Sequence, residues 1–521
     1  MQTLPLSSDG QYLLDHLHRN NAPQAVSTDT VHVDGVGGRL YFAYEQLRNA
    51  AEYSEQHLLL RRSIERFLQR NINFRRLQPL GMELVIELTQ SRYIKNDSIP
   101  RKSVKQIDEI LQGFVELYHG TLTAGERNRT IVAGWILQSA SVHIEQVLIP
   151  QPRTRPFVDF AYHHYFESID DQAFADKIEG VRYQMALYCA VHRAILKSDI
   201  ATVRAYALAS QIIPQKSEDH AAYFVQINHL IDELFNDRVT NGIMRLVSQH
   251  GAPMRILREV VISQSNAEEL LSEREALLSR IRSTTAEQYA LVKERLNNGI
   301  SRSVAFVAIT KILIGLAIEI PYDLIRYGTI IWPPLILNIV FPPLYMLTLG
   351  LGIRPPNRKN SELIERHIDR ILYQGDHKPV HYRLRRRVSS PALNRTFNVL
   401  YAGVFVVWIA LLAWILKQLE FNIVSGVIFF IFLSTVSFLG FRLTQTAREL
   451  EMIESRRGAL NLITDFLYTP FIRIGHWLSD RYAQVNVVAR VLDILIEMPL
   501  KFGLRFMRQW VGFLRDKQEE M

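Results

Sequence analysis

The polar residues with the clearest chemical potential lie inside an apolar part of the chain, residues 303–353. Lys311, Glu319 and Asp323 fall within its first hydrophobic segment, and Asn338 falls within its second. A charged side chain at the centre of an isolated membrane-spanning helix costs about 2.5–3.5 kcal/mol on insertion scales. Lys311 is the most deeply placed of the four, so it requires a partner, a water-filled cavity or a long reach to the membrane surface.

Two interpretations of these four residues remain open. On an ideal helix Glu319 and Asp323 lie about 40° apart and Lys311 lies about 80–120° from them, so the three form no narrow stripe. One interpretation is an ion or proton path through an oligomer, with Asn338 as a neighbour. The other, which we favour, is that Lys311 extends its ammonium group to the interface while both acids lie in the far headgroup layer.

Prolines interrupt the same region at Pro321, Pro333, Pro334, Pro342 and Pro343. Each lacks a backbone N–H and crowds the preceding turn. Pro333 and Pro334 suit a helix start, whereas Pro342 and Pro343 lie near mid-segment and should break or strongly kink the helix. Broken backbone at membrane depth is tolerated only within protein or beside a wet cavity. The sequence therefore predicts a kinked transmembrane hairpin or a re-entrant one.

Residues typical of catalytic and metal centres are sparse elsewhere. His163, His164, Glu167 and Asp170 are close in sequence, but adjacent histidines face different sides of a helix, and we expect only His164 and Glu167 to share one. We interpret this cluster as a polar helix surface and predict no metal and no cofactor.

The chain contains no Walker A, H-E-x-x-H or G-x-S-x-G motif, and its one cysteine, Cys189, excludes an internal disulfide. We predict a protein that is not an enzyme.

Two further hydrophobic segments follow the proline-rich pair. Residues 398–416 and 421–441 contain no Asp, Glu, Lys or Arg, and a helix needs about 20 residues to cross the hydrocarbon layer. Together the four segments predict a multi-pass membrane protein of about four transmembrane or re-entrant helices.

Charge is distributed unevenly along the chain. Residues 1–300 hold 33 Lys and Arg against 35 Asp and Glu, whereas residues 301–521 hold 27 against 17. The basic excess belongs to the membrane half, which favours anionic lipid headgroups over nucleic acid as its partner. The loop 354–396 holds 11 Lys and Arg against 4 Asp and Glu. The positive-inside rule therefore predicts that this loop and both termini are cytoplasmic and that the protein lies in the cell (cytoplasmic) membrane.

Amphipathic helices are predicted in residues 442–521, with aromatic side chains opposite basic ones. Such helices place rings at the acyl boundary and cations among the phosphates. The residues expected to contact lipid headgroups, here or in the basic loop, are Arg385, Arg386, Arg387, Lys501, Arg505, Arg508, Trp477 and Trp510.

The first 300 residues predict a water-soluble helical region. Residues 1–40 are polar and irregular, residues 150–156 contain three prolines and predict a non-helical boundary, and a capping box at 265–268 predicts the start of a long helix. The predicted divisions are a cytosolic helical subdomain (1–150), a second one of short helical hairpins (157–263), an amphipathic stalk helix (264–302), a first membrane hairpin (303–353), a basic cytosolic loop (354–396), a second transmembrane hairpin (397–441) and amphipathic membrane-surface helices (442–521).

The expected fold class is all-α: a cytosolic multi-helix domain, about four transmembrane or re-entrant helices, and interfacial amphipathic helices at the C-terminal end. We expect this protein to present a helical docking domain at the inner membrane face, as a scaffold or assembly subunit, with a protein partner or further copies of itself. The alternative is an oligomeric channel or transporter for ions or small solutes that uses the polar residues of 303–353.

Overall fold

The computed structural model describes residues 5–20, 29–33, 42, 45, 58–74, 78–123, 128–169, 178–210, 219–264, 266–353, 356–373, 382, 391–452, 471–475 and 477. Within these residues the chain is helical, without any strand, which confirms the all-α prediction. Contacts divide the chain into two compact units. The first spans Ser7–Val247, and the second spans Ser248–Gln484 with Leu6. The finer subdomain boundary predicted at 150–156 stays a prediction.

Three helices of the first unit pack against a central helix, α5 (Arg129–Leu148), which buries residues on most of its sides. Its neighbours are amphipathic helices that turn their apolar faces toward it, such as α2 with Ile64, Phe67 and Leu68. In chain order the helices are α1 (Ser8–Asn20), α2 (Leu59–Asn71), α3 (Gly81–Gln90), α4 (Arg101–Thr123), α5 (Arg129–Leu148), α6 (Thr154–Ser168), α7 (Gly180–Val191), a π-helical segment (His192–Leu196), α8 (Ile200–Ser210), α9 (His220–Leu234) and α10 (Arg238–Gln249).

Two helices of this unit correct the sequence prediction. α1 lies in the stretch that was expected to be irregular. The Ser7 hydroxyl accepts a hydrogen bond from the Gly10 N–H at its start, and Leu13 and Leu17 bury one of its faces. α6 begins inside the stretch expected to be non-helical. Pro156 is its third residue. The N–H groups in the first turn of a helix have no acceptor within the helix, so a proline there loses no helical hydrogen bond.

The second unit contains the long apolar helices. In chain order its helices are α11 (Ala252–Ser263), α12 (Ala267–Ser272), α13 (Arg274–Ile314), a π-helical turn (Gly315–Glu319), α14 (Ile320–Tyr327), α15 (Trp332–Gly352), α16 (Arg358–Leu372), α17 (Pro391–Gln418) and α18 (Ile423–Arg448). Among the described residues, four stretches are long and apolar enough to cross a membrane: Arg274–Tyr327, Trp332–Gly352, Val399–Gln418 and Ile423–Gln445.

Three details of the second unit differ from expectation. The long helix begins at Arg274 instead of Ser265, because Glu273 adopts an extended backbone that separates it from α12. α15 continues through Pro342 and Pro343, so the helix is not broken there, and the alternative prediction of a strong kink stays a prediction. Pro333 and Pro334 lie in the first turn of α15, as predicted. The loop 354–396 contains α16, which buries Ile364, Ile368 and Leu372.

Continuity through Pro342 and Pro343 has a simple physical reason. Two missing N–H groups remove only the bonds to the carbonyls of Asn338 and Ile339, while the rest of the helical ladder stays. α15 is held on two sides by α13 and α18, with Met346 buried in the shared core. Its 21 residues extend about 31 Å, close to the hydrocarbon thickness of about 30 Å.

Candidate functional site

A buried ion pair lies at the centre of the apolar helices. The Lys311 Nζ of α13 donates to Glu319 Oε1 at 2.7 Å, and the two side chains are 0% and 1% exposed. On an ideal α-helix these residues would lie about 80° apart around the axis. The π-helical turn between them has more residues per turn, so each residue advances by a smaller angle and the offset shrinks. The π-helical turn therefore brings the carboxylate to the ammonium group.

Asn338 connects this ion pair to two further helices. Its Nδ2 donates to Glu319 Oε2 at 2.9 Å and to the Ser425 carbonyl at 3.2 Å, which joins α15 to the start of α18. Its Oδ1 is buried without a hydrogen-bond partner among the described residues. The Phe432 ring lies 4.8 Å from Lys311 Nζ and adds a cation–π contact. Both carboxylate oxygens of Glu319 thus have a donor.

Asp323 forms a second, adjacent set of contacts. Its Oδ1 accepts from Asn422 Nδ2 at 2.9 Å, and its Oδ2 accepts from the Ile331 N–H at 3.3 Å. Asn422 in turn caps α18, because its Oδ1 accepts from the Ser425 N–H at 2.8 Å. Asp323 therefore ties the turn between α14 and α15 to the start of α18. We call the six residues Lys311, Glu319, Asp323, Asn338, Asn422 and Ser425 the polar network.

The four polar residues singled out in the sequence all belong to this network. Lys311 has a partner in its own chain and does not extend to an interface, which corrects the interpretation favoured above. Asn422 and Ser425 were not predicted from the sequence. Asn422 offered one signal, since it is a good helix-capping residue at the start of an uncharged segment, but nothing in the sequence indicated which carboxylate it would meet.

The other predicted contact residues lie mostly beyond the described part of the chain. Trp477 is described and is 59% exposed. The positions that the structure leaves undescribed are Arg385, Arg386, Arg387, Lys501, Arg505, Arg508 and Trp510. Pro321 lies in the first turn of α14, directly after the π-helical turn.

The histidine cluster differs from its predicted arrangement. His163 contacts Glu167, four residues further along the same helix, at 3.5 Å between Nε2 and Oε1. His164 points instead toward Asp9 of α1, a helix that the sequence analysis did not predict. Asp170 lies outside the described residues.

No family model, curated protein or solved structure matches this chain.

Proposed function

We propose that this protein is a membrane-anchored scaffold or assembly subunit that presents its helical first unit as a docking domain at the cytoplasmic face of the cell membrane. The observation that carries this proposal is the Lys311–Glu319 ion pair, which is closed within one chain. Its charges neutralise each other, and Asn338 occupies the second carboxylate oxygen. A bundle of this kind needs no further subunit to compensate its buried charges.

The polar network supports an anchoring role through its connections. It joins α13, the π-helical turn, α14, α15 and the start of α18. Bonds of this kind fix the rotation and register of apolar helices, which lipid tails alone would not specify. The bonds therefore favour a rigid anchor over a set of independently mobile helices.

The size of the first unit supports a docking role for the part of the chain outside the apolar helices. The first unit has its own apolar core, built from α2, α3, α4 and α5, and it carries most of the residues outside the apolar helices. A helical domain can bind a partner's amphipathic helix in a groove between its own helices. The basic excess of residues 354–396 supports a cytoplasmic orientation.

A flux measurement tests the proposal. The full-length protein is reconstituted in liposomes, and proton and monovalent-cation flux is compared for wild type, Lys311→Met and Glu319→Gln. Lys417→Met is the matched control, because Lys417 is an exposed lysine at the end of α17. We expect all four proteins to show only the leak of protein-free liposomes. Wild-type flux that a folded Lys311→Met or Glu319→Gln variant loses, while Lys417→Met retains it, would overturn the scaffold function.

A conduit is the second proposal, and two observations favour it. The π-helical turn ends at Glu319, and such turns are frequent at functional sites. Asn338 Oδ1 is buried without a hydrogen-bond partner among the described residues, so the network has one free acceptor where a water or an ion could bind. The conduit would require several copies of the chain, since four spans are few for a pore. The flux measurement described above distinguishes the two functions.

A further inference from the structure

Within the first unit, α1 packs against α6 and brings an aspartate of the former to two histidines of the latter. Asp9 Oδ2 lies 2.7 Å from His164 Nδ1, and Asp9 Oδ1 lies 3.5 Å from His163 Nδ1. His163 Nε2 lies 3.5 Å from Glu167 Oε1, one helical turn further along α6. Three side chains from two helices thus offer one nitrogen and two carboxylates within 4.8 Å of one another.

The contact between Asp9 and His164 holds the carboxylate in place. His164 is 2% exposed, and its Nδ1 is within hydrogen-bond distance of Asp9 Oδ2. A carboxylate oriented by a buried imidazole is the usual support of a metal ligand, because the outer hydrogen bond fixes the direction of the free oxygen. The free oxygen here is Asp9 Oδ1.

Asp9 Oδ1 and His163 Nδ1 face each other at ion-pair distance, but they are too far apart for a good hydrogen bond. Both atoms are buried, and neither makes a hydrogen bond among the described residues. Buried polar atoms of this kind call for an explanation, such as an ion or water that belongs between them. Their separation of 3.5 Å is longer than a good N–H···O hydrogen bond.

We propose that Asp9, His163 and Glu167 bind one divalent metal ion of the Zn²⁺ class. Two ligands that each lie about 2.0–2.1 Å from a tetrahedral ion are about 3.3–3.4 Å apart, and the Asp9–His163 atoms have nearly this spacing. One imidazole nitrogen with two carboxylates suits Zn²⁺ and other first-row divalent ions, whereas Mg²⁺ and Ca²⁺ prefer oxygen ligands alone.

Glu167 completes the set from the solvent side. Glu167 Oε1 lies beside His163 Nε2, whereas the ion would bind Nδ1, so the Glu167 carboxylate must rotate toward Asp9 Oδ1. The Glu167 side chain is 56% exposed, which leaves room for that rotation. The Tyr12 ring stacks on His163 at 4.3 Å and restricts the imidazole plane. Three protein ligands leave the fourth tetrahedral position to water, which makes this an open site with access to solvent.

The alternative for the same atoms is a plain ion pair, in which Asp9 neutralises protonated imidazoles and no metal binds. Metal titration separates the two. Tag-free, full-length protein in detergent, stripped with EDTA, is titrated with Zn²⁺ in competition with a chromophoric chelator. The variants are His163→Gln, Glu167→Gln and the control His32→Gln. His32 also contacts a carboxylate, Asp97 Oδ1 at 3.0 Å, but on an exposed surface and outside the proposed ligand set.

We expect wild type and His32→Gln to bind one Zn²⁺ with equal affinity, and His163→Gln and Glu167→Gln to bind it about tenfold or more weakly. A hundredfold excess of Mg²⁺ should not displace the ion. Absence of stoichiometric binding by wild type, or an affinity that both ligand variants retain, would overturn the proposal and leave the ion pair. Protection of the buried Cys189 from a thiol reagent verifies folding. If His163→Gln fails that check, Glu167→Gln decides, because Glu167 is exposed.

Discussion

The Lys311–Glu319 pair shows at the residue scale how a charge can be kept away from water in an apolar bundle. Each ion loses several kcal/mol of hydration on burial, and the mutual attraction offsets this loss only when the geometry is good and the remaining donors and acceptors are satisfied. Here the ammonium group has the carboxylate and the Phe432 ring, and the carboxylate has Asn338 as well. Each charge therefore stays buried at low cost only while the other residue of the pair is present.

Removing one member of the pair should destabilise the second unit by about 3–5 kcal/mol, because the remaining charge stays buried without a partner. We expect this for Lys311→Met and for Glu319→Gln. The double variant should cost less than the sum of the two, since it leaves neither charge uncompensated. Unfolding in detergent, followed by tryptophan fluorescence, measures the change, because five of the six tryptophans lie in the second half of the chain.

The control for this cycle is Lys417→Met, which removes an exposed lysine and should change stability by less than about 0.5 kcal/mol. Equal effects of Lys311→Met and Lys417→Met would mean that the buried ion pair contributes nothing.

The burial of His192 predicts that the stability of the first unit depends on pH. It is fully buried, and burial lowers its pKa to about 3, whereas an unfolded histidine titrates near 6.5. Between these values the unfolded chain binds the additional proton. The contribution of His192 to stability is therefore complete above about pH 6.5 and is lost as the pH falls toward 3, by up to about 1.4 kcal/mol per pH unit.

Labelling of Cys189 measures this dependence, because the buried thiol reacts only when the unit opens. We expect the stability of His192→Gln to fall less steeply between pH 7 and pH 5 than that of wild type, while the exposed control His18→Gln follows wild type. Burial raises the pKa of Glu145 to about 7, which gives an effect of opposite sign. The test therefore compares the pH dependence of stability in His192→Gln with that in wild type, because Glu145 is present in both. Identical slopes for wild type and His192→Gln would refute the prediction.

At the scale of elements, α13, α15 and α18 approach one another at glycines. Each helix supplies one glycine that faces a large side chain of a neighbour, and a Cβ placed there would lie under 3.0 Å from that side chain. The pairs are Gly299 with Leu443, Gly350 with Ile300, and Gly440 with Leu349. Small residues permit close packing of apolar helices, which associate through van der Waals contact in lipid. Together the three contacts join each of these three helices to the other two.

Filling these contacts should separate the helices. We expect Gly350→Val and Gly440→Val each to destabilise the second unit by about 1–3 kcal/mol, since overpacking forces side chains and backbone to move. Gly403→Val on α17 and Gly426→Val on α18 are matched controls, because a Cβ at either position meets no atom within 4 Å. Tryptophan fluorescence during unfolding provides the measurement. Equal losses in the controls would attribute the effect to valine itself and not to the helix contacts.

At the scale of the whole molecule, the proposed orientation depends on charge and on the number of spans. The apolar stretches follow one another in two pairs joined by short turns, Arg274–Tyr327 with Trp332–Gly352, and Val399–Gln418 with Ile423–Gln445. If each stretch crosses the bilayer once, α16 lies on the same side as α11, and the turn after α17 lies on the opposite side. The basic residues between α15 and α17 support the proposal that α16 is cytoplasmic.

Cysteine labelling in intact cells tests this orientation. We expect Glu420→Cys, in the turn after α17, to react with a membrane-impermeant thiol reagent, and Arg358→Cys, at the start of α16, to react only after permeabilisation. Both positions are exposed, and the native Cys189 is buried and contributes no signal. Reversed labelling would invert the orientation. Labelling of both positions in intact cells would mean that the second hairpin does not cross the membrane.

The apolar helices α17 and α18 could be predicted from the sequence because length and absence of charge alone decide whether a segment prefers lipid to water. The same local chemistry identified Lys311 as a residue in need of compensation. Its partner was not predictable. The Lys311–Glu319 contact depends on a π-helical turn, and the bonds of Asn338 and Asp323 to α18 depend on helices that meet across about 90 residues of chain. Likewise Asp9 meets His164 across 155 residues. Such pairings result from packing, which periodicity along one segment does not encode.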